Sequence, residues 1–424
     1  MRLLTLLLIV VLSLPGLAQE LRYENYVYQP DIRTVILARN TAIYDPQPII
    51  SLDGGDQLKL MFDQMLSQNE FYNYTIVHCD ANWNPSDLQA SEYIMGNPMG
   101  EISNFSFSTN TYQQYVHYNL TFPQENMKLT KSGNYLLKVF ANFNEEDLVL
   151  TRRFMVLDSK TSIKATVNSA TSAKFRNSHQ EIDFEVDHKG YTIPNPFTDV
   201  KVTILQNNSW ENAIYDLKPL FSNGQILNFN FEEGNLFQGG HEFRAFDIRS
   251  LRFFSNQVVK KYRDSVTNVV LRLDESRSHL TYTQWVDYNG KRVIENKDGV
   301  NIVEDGDYAL VHFYLNTGDK SELGEIYIYG ELSDWQLDNQ FKMTYDPVNN
   351  WYYGSALLKQ SYYNYQYVLK DKDGQLDYTF TEGSHYETEN DYTILVYHRN
   401  VFYGYDELIG SIRKNSGANI RNNY

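Results

Sequence analysis

Three residue groups in this chain have types and spacing from which chemistry could be built. His78-Cys79-Asp80 puts three metal-ligating types in a row. They lie in or beside an alternating strand pattern over residues 72–79. Successive strand side chains point to opposite faces, so His78 and Cys79 cannot serve one site together, and a structural role is expected. The nine histidines are otherwise scattered, without His-Glu-x-x-His or His-x-His spacing. Asp371-Lys372-Asp373-Gly374 opens like an acidic calcium loop. An EF-hand needs glycine at its sixth position and glutamate at its twelfth, whereas Gly374 is fourth, so a hairpin turn is expected. There is no Gly-x-Ser-x-Gly and no phosphate-binding glycine loop. Cys79 beside His78 in sequence is not a dyad, because a base must meet its nucleophile in space. Carboxylate pairs for glycoside hydrolysis are also set by space rather than spacing, and nothing singles out two. The reading is a protein without catalytic residues, metal or cofactor, and not an enzyme.

The most charged strand-like stretch spans residues 239–252, where five of fourteen positions are charged and both signs appear. As a strand it points Glu242, Arg244, Phe246 and Ile248 one way, and His241, Phe243, Ala245, Asp247 and Arg249 the other. Carboxylates and guanidiniums thus share both faces with core aromatics. An Arg fork matches a carboxylate bidentately, and breaking a buried pair costs about 3–5 kcal/mol. Glu242, Arg244, Asp247, Arg249 and Arg252 are therefore candidates for a charged seam between domains. The alternative is a polar edge strand with solvated charges.

The elements that must position such a seam are strands. The chain has 34 Tyr and 23 Phe against 11 Pro, and Tyr-rich alternating segments point to an all-β protein. Arg2, the apolar run over residues 3–14 and Pro15-Gly16-Leu17-Ala18 read as a signal peptide, with cleavage before Gln19. No Cys follows that would take a lipid, and no later stretch is long and apolar enough for a spanning helix. The expectation is an exported, soluble protein. Its one cysteine, Cys79, cannot form an internal disulfide, and a chain of this size can be stable without one. The net charge of −16 argues against nucleic acid and anionic membrane surfaces as general partners, while leaving room for a local basic patch.

Turn signals divide the chain into residues 1–18 (signal peptide), 19–158 (N-terminal β-sandwich), 159–262 (middle β-sandwich closed by the charged stretch), 263–410 (a third β-sandwich) and 411–424 (a disordered tail). Strands of the third unit are expected at 269–273, 279–286, 308–315, 325–329, 359–370 and 392–398. Gly330-Glu331-Leu332-Ser333-Asp334-Trp335, with Met343, Tyr345-Asp346, Trp351 and Tyr365-Gln366-Tyr367, resembles the glycogen-binding carbohydrate module of early-set immunoglobulin-like domains. That resemblance implies an early-set sandwich and makes Trp335 and Trp351 the carbohydrate-stacking candidates. The family's lysine is Gln366 here, and its second stacking tryptophan is Leu376, so its sugar site is incomplete.

Across about residues 20–410 the chain resembles the plug protein family of the type IX secretion system. The resemblance rests on the block from His78-Cys79-Asp80-Ala81-Asn82-Trp83 through Asn84-Pro85-Ser86, on Ser132-Gly133-Asn134-Tyr135 and on Thr151-Arg152-Arg153-Phe154. It extends to residues 240–252 and to the Glu389-Asn390-Asp391-Tyr392 run continuing to Tyr397. It implies tandem immunoglobulin-like sandwiches in a periplasmic, non-enzymatic protein. Such a protein would bind the outer-membrane translocon barrel and plug its periplasmic opening, reaching the membrane only through that partner, with no nucleic acid. The alternative is a periplasmic carbohydrate-binding protein using the C-terminal module. Trp335 favours it, Gln366 and Leu376 count against it, and the whole-chain resemblance decides for the plug.

Overall fold

The computed structural model describes residues 20–41, 47–232, 234–301, 304–318 and 324–417; the expected signal peptide lies outside them. The first unit contains β1 (Ile32–Arg39), β2 (Leu58–Gln64), β3 (Tyr72–Cys79), β4 (Val116–Phe122), β5 (Gly133–Ala141) and β6 (Leu148–Leu157). One sheet is centred on β3, β5 and β6, and the facing sheet on β1, β2 and β4. Alternate residues of both sheets meet in the core, where Phe62 stacks on Tyr118 at 5.0 Å between ring centroids. Aromatic side chains suit a pleated, half-buried surface, which is why Tyr-rich segments become strands here.

β5 departs from simple alternation, because all nine of its residues are buried. Tyr135, Leu137 and Val139 enter the core of the first unit, while Leu136 points out of it into a separate apolar cluster with Leu205, Leu395 and Leu408. A strand is apolar on both faces when both faces are covered, and the second cover is the middle unit.

That middle unit contains β7 (Ser162–Ser169), β8 (His179–Asp187), β9 (Val200–Gln206) and β10 (Ser209–Leu217). The third unit follows with β11 (Arg244–Asp247), β12 (Val258–Arg263), β13 (Thr267–Leu271), β14 (Tyr308–Asn316), β15 (Gly324–Tyr329), β16 (Trp351–Lys359) and β17 (Ser361–Asp371). The chain then returns to the middle unit. β18 (Asp391–Asn400) pairs with β9 in register Val202 to Val396, and β19 (Tyr405–Asn415) pairs with β18. The sheet β10-β9-β18-β19 packs its outer face on the first unit.

Five expectations change. The charged stretch does not close the middle sandwich: only Arg244–Asp247 is a strand, and it pairs with β17 of the third unit. The third unit does not run to residue 410, since residues 391–415 belong to the middle sheet. Residues 411–415 are not a disordered tail but the end of β19, where Arg413 and Asn415 bond Asp391. Residues 279–286 are not a strand. They run as an irregular strap, with the Tyr282 hydroxyl donating to Glu242 (2.5 Å) and Trp285 Nε1 to the Phe243 carbonyl (3.0 Å). The expected strand 359–370 is two elements, because the chain passes between the sheets of the third unit at Gln360.

A chain ended at residue 410 loses nearly half of β19 and the Arg413 and Asn415 partners of Asp391. We expect a lower thermal midpoint by circular dichroism, with the first cuts in limited proteolysis falling in the middle unit.

Candidate functional site at the junction of three units

Asp63, near the end of β2, reaches from the first unit into the third. Its Oδ2 accepts from Lys359 Nζ at 2.7 Å and from the Tyr308 hydroxyl at 2.6 Å, and its Oδ1 lies 2.6 Å from His117 Nδ1. The Tyr308 hydroxyl is also 2.5 Å from Thr34 Oγ1, and Lys359 Nζ sits 4.2 Å above the Tyr115 ring. The side chains of Asp63 and Lys359 are 1% and 2% exposed. Burial pushes the Asp63 pKa up, but Lys359 and His117 outweigh it and hold the carboxyl below its ordinary range.

Further bonds cross the same boundary. Arg152 on β6 donates to Asp334 at 2.7 Å, and Arg292 donates to the Val35 carbonyl at 2.6 Å. Behind them lies a cavity of about 300 Å³, lined from all three units by Leu37, Met61, Met155, Trp210, Ile294 and Trp335 among others. Trp335 is wedged edge-on against Phe243 and Tyr329, at 6.0 and 5.5 Å between ring centroids. A Cβ at Gly290 would lie 2.2 Å from its Cη2, so only glycine fits beneath it. Trp351 sits apart at the start of β16, edge-on to Tyr314. No contact joins the two tryptophans.

The His78-to-Ser86 block faces the middle unit. Cys79 is buried in the interface cluster, its thiol pushed up to about 12 by burial. His78 packs edge-on to Tyr135, with its Nδ1 2.9 Å from Ser86 Oγ, and burial pushes its pKa down to about 4. Asp80 Oδ1 accepts from the amides of Asn82 and Asn84, folding the loop that carries Trp83 onto Trp210. The Arg153 guanidinium lies 4.5 Å from the Trp83 ring, and the Ala81 amide donates to Asp406 of β19 at 3.0 Å. The turn at Asp371–Gly374 is local: Asp371 Oδ1 accepts from the amides of Asp373 and Gln375. Among the described residues no group of three or more His, Cys, Asp and Glu side chains is placed to hold a metal.

The five charged candidates divide. Arg244 bonds Glu382 at 3.0 Å and Asp274 at 2.9 Å, and Arg277 reaches the other oxygen of Glu382 at 2.5 Å. Burial raises the Glu382 pKa, but Arg244 and Arg277 prevail and hold it at about 2. All of these lie in the third unit. Asp247, Arg249 and Glu295 form a half-exposed chain within it, and Arg252 is exposed. Glu242 alone meets the segment entering β18, through the Glu389 amide at 3.3 Å. Its Oε2 has no hydrogen-bond partner among the described residues, and burial pushes its pKa up to about 7. Beside it the backbones of the two segments touch. The His385 amide donates to the Gly240 carbonyl at 2.9 Å, and a Cβ at Gly239 would fall 2.0 Å from the His385 carbonyl. Lys291 completes this contact by bonding Asp391 at 3.2 Å.

Asp63, Lys359 and Lys291 carry no signal of their own in the sequence, and Arg152 and Asp334 enter there only within the runs that carry the family resemblances. Asp63 and Met61 share the face of β2 that alternation assigns to solvent. An apolar residue on that face was the one available signal.

A fold of tandem β-sandwiches with buried polar contacts between its units sets this chain among all-β, multi-unit proteins. Residues 32–158 match the model of the first domain of the type 9 secretion system plug protein. The crystal structure of a hypothetical protein from Parabacteroides merdae is similar at a TM-score of 0.89 and 30% identity, covering 93% of this chain and 100% of that one. No curated protein matches. Over residues 32–158 the chain is thus similar to the first domain of the type 9 secretion system plug protein.

Lys359→Met leaves the Asp63 carboxylate buried without its cation and is expected to cost about 3–5 kcal/mol in chemical denaturation. Asp63→Asn combined with Lys359→Met is expected to recover much of that loss. Glu242 holds its proton more tightly folded than unfolded, so the stability that this proton confers is complete below about pH 4.5 and lost as the pH rises through about 7. Melting temperatures of the parent and of Glu242→Gln should therefore diverge across that window, the parent falling relative to the variant.

Proposed function

We propose that this protein binds the outer-membrane translocon barrel of the type IX secretion system from the periplasmic side and plugs its opening. The observation that carries the reading is the match of residues 32–158 to the plug family. The junction supports it physically. A cover over a wide pore must keep its shape under collision with cargo, and separate domains joined by linkers would flex. Here the units share buried ion pairs, apolar clusters and a returning pair of strands, which suits a single rigid body. On this reading the protein is periplasmic, reaches the outer membrane beside its barrel, and acts by occlusion rather than chemistry. A stable cover buries on the order of 1,200–2,000 Å², with its energy concentrated in a few aromatic or Arg anchors.

Affinity-tagged protein is expected to co-purify with the barrel from solubilised outer membranes. Deleting its gene is expected to raise permeability to a bulky antibiotic only in cells that make the barrel. Unchanged permeability, or an equal rise without the barrel, would overturn the reading.

A further inference from the structure

We propose that residues 250–263, an irregular loop leading into β12, are a docking surface for an anionic phospholipid bilayer. The segment carries Arg252, Lys260, Lys261 and Arg263 and no carboxylate, within a chain of net charge −16. At its turn Phe253 and Phe254 are 75% and 63% exposed. The following strand, β12, lies at the edge of its sheet and pairs only with β13. Edge strands often carry lysines that deter pairing with another chain. That accounts for Lys260 and Arg263, but not for two adjacent exposed phenylalanines.

The turn is built rather than slack. Ser250 Oγ accepts from the amides of Arg252 and Phe253 at 3.2 and 3.1 Å and donates to Asp298 at 2.6 Å. Ser255 Oγ donates to the Asp247 carbonyl at 2.7 Å. Lys261 Nζ donates to the carbonyls of Ser250 and Phe253, tying the strand back to the turn. The two rings are therefore held outward at little further entropic cost on contact.

The charges around the turn are free to act. Among the described residues Arg252, Lys260 and Arg263 form no ion pair, and Arg263 lies 3.0 Å over the exposed Tyr112 ring. The neighbouring carboxylates keep their charge but are turned towards neutral hydrogen-bond donors. Asp298 takes Ser250 and the Leu251 amide, Asp305 takes Thr109 and the Val300 amide, and Asp307 takes the amides of Tyr112 and Gln113. Val300, 99% exposed, and Tyr112 border the same shallow depression as Arg252 and Arg263.

Apolar tips flanked by cations match the boundary between headgroups and acyl chains. The rings enter the apolar side while each Lys or Arg meets a phosphate. An acidic protein surface would satisfy the cations but would need two preformed pockets for the rings. No helix among the described residues is long and apolar enough to cross a membrane, so such a contact would be peripheral. The inference does not depend on the plug reading, because vesicle binding is measured without the translocon.

The full-length mature protein is centrifuged with vesicles of phosphatidylethanolamine and phosphatidylglycerol. Binding is expected, weakening as salt rises and absent from vesicles of phosphatidylcholine alone. Phe253→Ser with Phe254→Ser, and separately Arg252→Glu with Lys260→Glu, should each lower the partition about tenfold or more at unchanged melting temperature. Phe402→Ala, at a tip 93% exposed that is followed by Asp406 and Glu407, should bind like the parent. Absence of binding, or equal binding by the phenylalanine variant, overturns the proposal. So does a variant of this segment that keeps its vesicle binding but no longer co-purifies with the barrel, since that assigns the segment to a protein partner. Parent protein that binds vesicles but not the barrel would overturn the plug reading alone.

Discussion

An ionised carboxylate shut away from water has to be answered by charge, and Asp63 finds its answer in another unit. Lys359 and the Tyr308 hydroxyl come from the third sandwich, while His117 comes from its own. Neither charge can be left behind if the units part, because each would then be a desolvated ion without its partner, or would need water admitted to the boundary. The pair is thus less a source of net stability than a condition on geometry, since the two sandwiches have one seating in which it is satisfied. Arg152 with Asp334, and Arg292 with the Val35 carbonyl, repeat that condition along the same boundary.

The boundary with the middle unit follows a different logic. There the constraint is apolar: β5 and β18 are buried on both faces, one face in their own core and the other against each other's sheet. The block around Trp83 adds a cation beside two rings, with Arg153 lying 4.5 Å from Trp83 and 5.2 Å from Trp210. Polar seating on one side and apolar seating on the other make the junction specific as well as tight. On the proposed plug reading, release would come from loosening the contact with the pore rather than from relative motion of the units.

Fold class was legible because it is written locally. Alternation in residues 72–79 or 200–205 makes a strand whatever the strand later pairs with. Pairing is not written locally. Nothing in the sequence of residues 391–398 says that they join β9 rather than β17, and a run of buried positions on both faces reads the same in either sheet. The charged stretch stands out by its composition, yet only Glu242 of its five charged residues meets the neighbouring unit, because Arg244 finds its carboxylates within the third sandwich. Trp335 was picked out as a sugar platform and instead fills the space above Gly290 at the junction. A tryptophan after a glycine turn has the same signature in both roles, and only its neighbours tell them apart.

The return of the chain to its middle sheet has a consequence for the moment of synthesis. β9 precedes the third unit and β18 follows it, yet they are hydrogen-bonded along seven register positions from Val200 opposite His398 to Gln206 opposite Tyr392. A polypeptide delivered amino end first will complete its first sandwich, and can complete its third, while the middle one still lacks two of the four strands in one sheet. During that interval β9 shows an unpaired edge bearing Val202, Ile204 and Leu205, the kind of surface that joins to other chains. Such late, long-range closure is slow. Until the last strand arrives, this edge stays open to mispairing.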